Sequence, residues 1–220
     1  MPVVNEAERE KRLAAEAAAE LVESGMTVGL GTGSTVAHLL PAIASRGLTE
    51  IRCVATSAAT EEQARELGIP VEEFDSLVRL DIAIDGTDEV TPDGWLIKGG
   101  GGAHLREKVV AAAADRFVVI GDSSKTVEAF TWPVPLELFG FGAASTLERL
   151  GSDVTLRDAP RSPDGGVIAD YRGGGLDDPA ALAARLEADP GVAAHGLFPP
   201  DMVSEVLIAR GDGVERTSYS

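Results

Sequence analysis

The chain has 220 residues, 44% of them hydrophobic and 25% charged, and its 36 acidic and 19 basic side chains give a net charge of −17. That length allows one large domain or two small ones, and no apolar run approaches the ~20 residues of a membrane-spanning helix. The charge excludes nucleic acid and anionic membrane as natural partners, and the lone Cys53 excludes an intrachain disulfide framework and a cysteine-only metal site.

The first residues, MPVVNEAEREKR, are charged and hold no apolar core of a signal peptide, so a cytoplasmic location is expected. Residues 6–25, EAEREKRLAAEAAAELVESG, predict a helix stopped at Gly25. MTVGLG (26–31) predicts a short buried strand running into the loop GTGST (31–35). Residues 34–47 predict a second helix, with Ser34 or Thr35 as its cap. IRCVATS (51–57) predicts a strand, AATEEQARELG (58–68) a helix closed by Gly68, and IPVEEF (69–74) a short strand. LDIAIDGTDEV (80–90) predicts a strand ending in an acidic loop. WLIK (95–98) is a strand end, followed by four glycines and a helix reaching about residue 115. RFVVIGDSSK (116–125) predicts one more strand and a polar loop.

This alternation predicts an α/β protein with a parallel sheet covered on both faces. Ligands of such sheets sit beyond the carboxyl ends of the strands. The loops at 31–35, 56–60, 85–89, 98–102 and 122–125 each follow a predicted strand, so they are expected at one edge. The two prolines of TWPVPLELFG (131–140) break the pattern and mark a domain boundary. Beyond it lie a helix (143–151), strands (153–159 and 165–173), a helix (178–191) and final strands (192–198 and 204–218), a small α+β domain.

Four loops carry candidate chemistry. Gly31 and Gly33 let the backbone bring N–H groups to an anion, with Ser34 and Thr35 as hydroxyl donors. The spacing matches neither a Walker A loop nor GxGxxG; alone it fits a phosphate cradle or a plain strand-to-helix turn. Asp85, Asp88 and Glu89 crowd three carboxylates into five residues, a cost answered by a cation, a polyol or simple solvation. Lys98 precedes Gly99–Gly102, a run that favours close approach of a ligand, and Glu107 lies about one turn into the next helix. Lys125 offers a movable positive charge in a serine-containing loop. The three histidines have no metal-ligand spacing, and no GxSxG elbow is present, so neither a metal nor covalent catalysis is expected.

Taken together, GTGST (31–35), DGTDE (85–89), KGGGGAHLREK (98–108) and GDSSK (121–125), followed by PGVAAHGLF (190–198), resemble the type A ribose-5-phosphate isomerases in order and interval. The resemblance covers nearly the whole chain. It implies a Rossmann-like catalytic domain (1–130 plus 205–220), a smaller α+β domain (131–204), a homodimer or homotetramer, and no cofactor. It implies reversible interconversion of D-ribose 5-phosphate and D-ribulose 5-phosphate in the non-oxidative pentose phosphate pathway. By residue, Glu107 matches the general base. Thr32, Gly33, Ser34 and Thr35 match the first substrate loop, Asp85, Gly86, Thr87 and Asp88 the second, and Lys98, Gly99, Gly100 and Gly101 the third. Lys125 matches an isolated substrate contact and, by a looser alignment, Lys11 a further basic one. Lys98 is the expected stabiliser of developing negative charge. Asp85 and Asp88 divide proton movement and hydroxyl orientation between them in either order. Two departures stand out: Glu61 occupies a position where a hydroxyl residue is often found, and YRGGGLDDP (171–179) is unusually glycine-rich. A sugar-phosphate sensor, a sugar-phosphate deaminase or a CoA transferase on the same fold are the rival readings. A ribose 5-phosphate assay with ketose detection separates them.

Overall fold

The computed structural model describes residues 6–219; the first five residues of MPVVNEAEREKR, the stretch read as holding no signal-peptide core, lie outside them. In chain order the elements are α1 (Glu6–Ala19), β1 (Thr27–Leu30), α2 (Val36–Ser45), β2 (Arg52–Ala55), α3 (Ala58–Glu66), β3 (Ile82–Gly86), β4 (Glu89–Val90) and β5 (Leu96–Ile97). There follow α4 (His104–Ala112), β6 (Phe117–Asp122), β7 (Val134–Leu138), α5 (Ala143–Leu150), β8 (Val154–Leu156) and β9 (Val167–Tyr171). The last are α6 (Pro179–Glu187), β10 (Val192–His195), β11 (Leu197–Phe198), β12 (Glu205–Arg210) and β13 (Gly213–Ser218). Two compact units result. The first holds the residues up to 87, 106–126 and 201 onward; the second holds 88–105 and 127–200.

The first unit is a six-stranded sheet in the order β13-β12-β6-β3-β1-β2, parallel except for β13. Alternate side chains explain how it is covered. Val28, Leu30, Ile82, Ile84, Val118 and Ile120 face a core with Ala14, Ala15 and Ala18 of α1 and Leu39, Leu40 and Ile43 of α2. On the opposite face a Cβ at Gly29 would stand 2.5 Å from Val110 of α4, so glycine there sets how closely α4 lies on the sheet. The expected return of the chain's last segment to this sheet is observed, with β12 parallel to β6 and β13 folded back on β12.

Helix α1 ends at Ala19 rather than running to Gly25, because the Arg46 guanidinium donates to the carbonyls of Ala19 and Val22 and closes the helix there. Thr35 caps α2 only by position. Its own backbone is already helical, and no side-chain cap bond forms from it. The predicted strand at 69–74 reduces to one bridge between Val71 and Cys53.

The second unit holds two antiparallel sheets. One is four-stranded, β10-β7-β9-β8, and encloses a core of Val134, Leu136, Leu138, Ala169, Tyr171, Leu182 and Leu186. The other is three-stranded, β11-β5-β4. The stretch read as a proline-broken boundary is itself the inner strand β7. Pro135 is tolerated because its carbonyl, on the same side as its missing N–H, meets the Gly196 N–H just past the end of β10 (2.7 Å). The single predicted strand at 192–198 is two strands in two sheets, divided at Gly196. A Cβ there would lie 2.1 Å from the Lys98 carbonyl oxygen, so no other residue fits the crossing. The segment 88–105, read from sequence as part of the first domain, groups with the second unit because β4 pairs with β5 and β5 with β11.

Candidate active site

Since β1, β2, β3 and β6 run parallel side by side, the loops that follow them share one edge of the first unit's sheet. Asp85, at the end of β3, is the centre of that edge. Its Oδ1 accepts from the Thr32 N–H (2.9 Å) and from the Gly86 N–H (2.7 Å), and the residue is only 2% exposed. Gly31 makes this possible, because a Cβ there would lie 2.0 Å from that oxygen. Thr32 is fixed from its other side: its hydroxyl lies 2.7 Å from the Thr56 hydroxyl. The buried Thr60 hydroxyl donates to the Gly31 carbonyl (2.8 Å), and Ser57 caps α3 by accepting from the Thr60 N–H (3.2 Å).

Gly33 takes φ +114°, a backbone that L side chains rarely adopt, and Ser34 beside it is exposed while Thr35 is buried. Thr56 and Thr60 thus add hydroxyls beside Thr32, in a segment that the sequence placed among the converging loops without giving either residue a role.

Glu107 occupies the first turn of α4 and is 6% exposed. It is one of seven buried carboxylates among the described residues, with Glu10, Asp85, Glu89, Asp122, Glu137 and Asp170, and burying a carboxylate is costly without compensation. Lys125 closes a single turn of 3-10 helix, Ser123–Lys125, and is half-buried, its Cβ and Cγ packed against Gly121. That turn is pinned from a distance. The buried Glu10 of α1 accepts from the Ser123 N–H (2.9 Å) and hydroxyl (2.7 Å) with one oxygen, and from the Gly211 N–H (2.7 Å) with the other. These bonds, the Ser123 hydroxyl first, hold the Glu10 carboxyl below the usual carboxylate range despite its burial. Lys11, the neighbouring expected contact, is ion-paired to Glu8 (2.6 Å).

In the second unit Asp88 meets the glycine loop directly. Its N–H donates to the Ile97 carbonyl (2.9 Å), and its Oδ2 accepts from the Gly100 N–H (2.7 Å). A Cβ at Gly100 would stand 2.8 Å from Asp88 Oδ1, and one at Gly99, where φ is +104°, would stand 2.7 Å from the His104 side chain. Lys98 is 2% exposed, its ammonium 5.6 Å from the centre of the Phe198 ring. Gly101 is open, with nothing near its missing Cβ.

Backbone N–H groups and one hydroxyl meet the acidic cluster. Asp85 is answered by two backbone N–H groups and Asp88 by one. Glu89 is answered by the Thr131 N–H (2.9 Å), the Thr131 hydroxyl and the Trp132 N–H (3.1 Å). Among the described residues no group of three or more His, Cys, Asp or Glu side chains could hold a metal ion. Nor is any described helix long and apolar enough to cross a membrane.

The structure therefore brings Thr32, Thr35, Asp85, Gly86, Glu107 and Lys125 into the first unit, and Asp88, Lys98, Gly99, Gly100 and Gly101 into the second. Such a fold, an open α/β sheet with hydroxyls, N–H groups and the ordered Asp85 carboxylate at its carboxyl edge, belongs to the class whose ligands bind beyond the carboxyl ends of the strands. The sequence matches the ribose 5-phosphate isomerase A (phosphoriboisomerase A) family over residues 52–213, and the chain belongs to that family. It is 48% identical to the ribose-5-phosphate isomerase A of Caulobacter vibrioides over 96% of this chain and 98% of that protein. Its fold is similar to the crystal structure of the Neisseria gonorrhoeae enzyme (TM-score 0.92, 32% identity, 97% and 98% of the two chains). It is also similar to a D-ribose-5-phosphate isomerase in complex with phospho-erythronic acid (TM-score 0.91, 32% identity, 98% and 100%).

Proposed function

We propose that this chain interconverts D-ribose 5-phosphate and D-ribulose 5-phosphate, with Glu107 carrying the proton. Family membership and the sugar-acid phosphate held by a relative support the substrate. The observation that carries the assignment of the base is Glu107, buried in the first turn of α4 six residues beyond the Gly99–Gly101 loop.

In this reading the open-chain aldose presents its C2 hydrogen to the Glu107 carboxylate. The carboxylate takes it as a proton, the C2–H electron pair forms the C1–C2 double bond of an enediolate, and negative charge moves onto the C1 oxygen. Glu107 then returns the proton to C1, while the proton on the C2 oxygen passes to the C1 oxygen, leaving the ketone at C2. One carboxylate on one face of a planar intermediate serves both transfers.

Lys98 and the glycine-loop N–H groups stabilise the growing charge on oxygen, work worth ~3–4 kcal/mol for one well-placed donor. Asp85, whose carboxylate is oriented by the N–H groups of Thr32 and Gly86, moves the proton between oxygens or assists ring opening. Asp88, engaged with Gly100, orients a substrate hydroxyl. Ser34, Thr35 and Lys125 anchor the phosphate, with Thr32 and Gly33 beside them in the same substrate loop, so that binding energy at the far end of the sugar orients the reacting end. The same reading carries a homodimer or homotetramer working in the cytoplasm; light scattering on the purified chain measures the first.

Replacing Glu107 with Gln tests the base. The amide keeps the shape and removes the proton acceptor. The variant is expected to fold, to bind ribose 5-phosphate with a similar affinity, and to lose at least ~10²-fold in kcat. Turnover within a few-fold of the parent would remove Glu107 from the role.

A further inference from the structure

Arg157 follows β8 and belongs to none of the loops considered so far. Its Nε and Nη2 form a two-pronged pair with Asp170 of β9 (2.9 and 2.6 Å), and both side chains are largely buried. Its Nη1 donates to two successive carbonyls, those of Gly99 (3.0 Å) and Gly100 (2.9 Å). Backbone continuity fixes its root, since the Arg157 N–H extends the β8–β9 ladder to the Ile168 carbonyl (2.9 Å).

Two carbonyls held by one guanidinium have a geometric consequence. In a trans peptide the C=O of one residue and the N–H of the next point in opposite directions. Drawing the Gly99 and Gly100 carbonyls toward Arg157 therefore turns the Gly100 and Gly101 N–H groups to the far side of the loop. The Gly100 N–H is taken by Asp88 (2.7 Å), and the Gly101 N–H follows it beside an open Cβ position. Glycines have no side chains to hold such an orientation, and Gly loses more conformational freedom on ordering than any other residue. The planar five-donor fork is what the task requires: two N–H groups bind a carboxylate while another reaches the backbone, and the ammonium of a lysine has no such fixed geometry.

We infer that Arg157, aimed by Asp170, is a positioning residue that fixes the direction of the glycine-loop N–H groups and thereby sets the turnover rate. The rate claim rests on the isomerase reading above; the loop claim stands on geometry alone. Arg157 does not touch the reacting atoms.

The test uses the full chain with Arg157→Ala, Arg157→Lys and Asp170→Asn, assayed for ribose 5-phosphate isomerisation and for amide hydrogen exchange at Gly100, held by Asp88, and at Gly102, whose N–H donates to the Gly99 carbonyl (2.9 Å). Misdirected donors are expected to lower kcat by up to about 10²-fold while KM changes by less than about threefold, the pattern of an interaction made in the transition state only. Arg157→Lys is expected to fall with Arg157→Ala, and exchange at both amides to accelerate in each. Because Arg157 and Asp170 line a cavity of about 480 Å3, added guanidinium ion is expected to restore part of kcat to Arg157→Ala and none to Glu107→Gln. Should Arg157→Ala not fold, Arg157→Lys decides. An active parent with a folded Arg157→Lys of unchanged kcat, or a loss confined to KM, overturns the rate claim. Unchanged exchange overturns the loop claim. A parent inactive on ribose 5-phosphate overturns the isomerase reading and the rate claim with it, and leaves exchange to decide the loop claim.

Discussion

Gly31→Ala makes the sharpest test of how the Asp85 edge is built. The added methyl would lie 2.0 Å from Asp85 Oδ1 and 2.5 Å from Asp85 Cβ. Favourable contact between carbons begins near ~3.5 Å, so no rotation of the carboxylate relieves the overlap and the whole side chain must leave. Leaving breaks the bonds from Thr32 N–H (2.9 Å) and Gly86 N–H (2.7 Å). At ~1.5–3 kcal/mol for each hydrogen bond to a charged group, the loss is about 3–6 kcal/mol. For a chain of this size each kcal/mol moves the melting midpoint by ~2–4 °C, so a fall of roughly 6–24 °C is expected. The reasoning assigns nearly all of this to one neighbour, and a double-mutant cycle with Asp85→Gly isolates it. Removing the Asp85 side chain gives the methyl room, so Gly31→Ala should cost at least ~2 kcal/mol less in the Asp85→Gly background, measured by urea titration. If the two costs instead add to within about 0.5 kcal/mol, the methyl and the carboxylate do not compete for the same space and the account of this edge fails.

Glu10 and Cys53 give two further expectations. The folded-state pKa of Glu10 is depressed below the ordinary 4.5, so its contribution is complete above about that pH and disappears as pH falls through the folded value. Glu10→Gln should therefore be less stable than the parent at neutral pH, and the urea midpoints of the two should converge on acidification; a gap that does not change with pH would refute this. Burial, with a smaller push from the charge of Glu72, raises the Cys53 thiol to about 12. Native protein should thus react with thiol reagents far more slowly than protein in denaturant. Its stability should also decline as pH climbs past 9.0, where the unfolded thiol ionises and the folded one does not, a decline that Cys53→Ala removes in part.

What could be read from the sequence and what could not divide along a physical line. β1, β3 and β6 were legible because each is a short apolar run ending at, or followed directly by, glycine or aspartate, and the loops after them announced themselves by composition. Gly31 and Gly33 were legible as unusual, but the reason for Gly31 was not, since the atom it avoids belongs to Asp85 on another strand. β7 was missed because proline argues against an inner strand, and only the ending of β10 opposite Pro135 resolves the conflict. The break at Gly196 was missed because the atom that requires it, the Lys98 carbonyl oxygen, lies far away along the chain. Glu10 and Arg157 were invisible for the same reason. The first is one acid in an acidic helix and the second one arginine in a loop; their partners at Ser123, Gly211 and Gly99 lie far away along the chain. The acidic turn was legible as costly, whereas its remedy was backbone N–H groups contributed by three separate segments.

The late arrival of β12 has a consequence for synthesis. Strand β6 leaves the ribosome with β3 on one flank and nothing on the other, and the segment that completes it follows only after all of 127–200 has been made. Until then a fully buried strand, Phe117–Asp122, presents a bare row of main-chain donors and acceptors to its surroundings. At ~5–20 residues per second that interval lasts several seconds. A newborn chain of this protein is therefore vulnerable to sticking to its neighbours until Glu205–Arg210 has emerged, and a stop codon shortly before Glu205 would make that condition permanent.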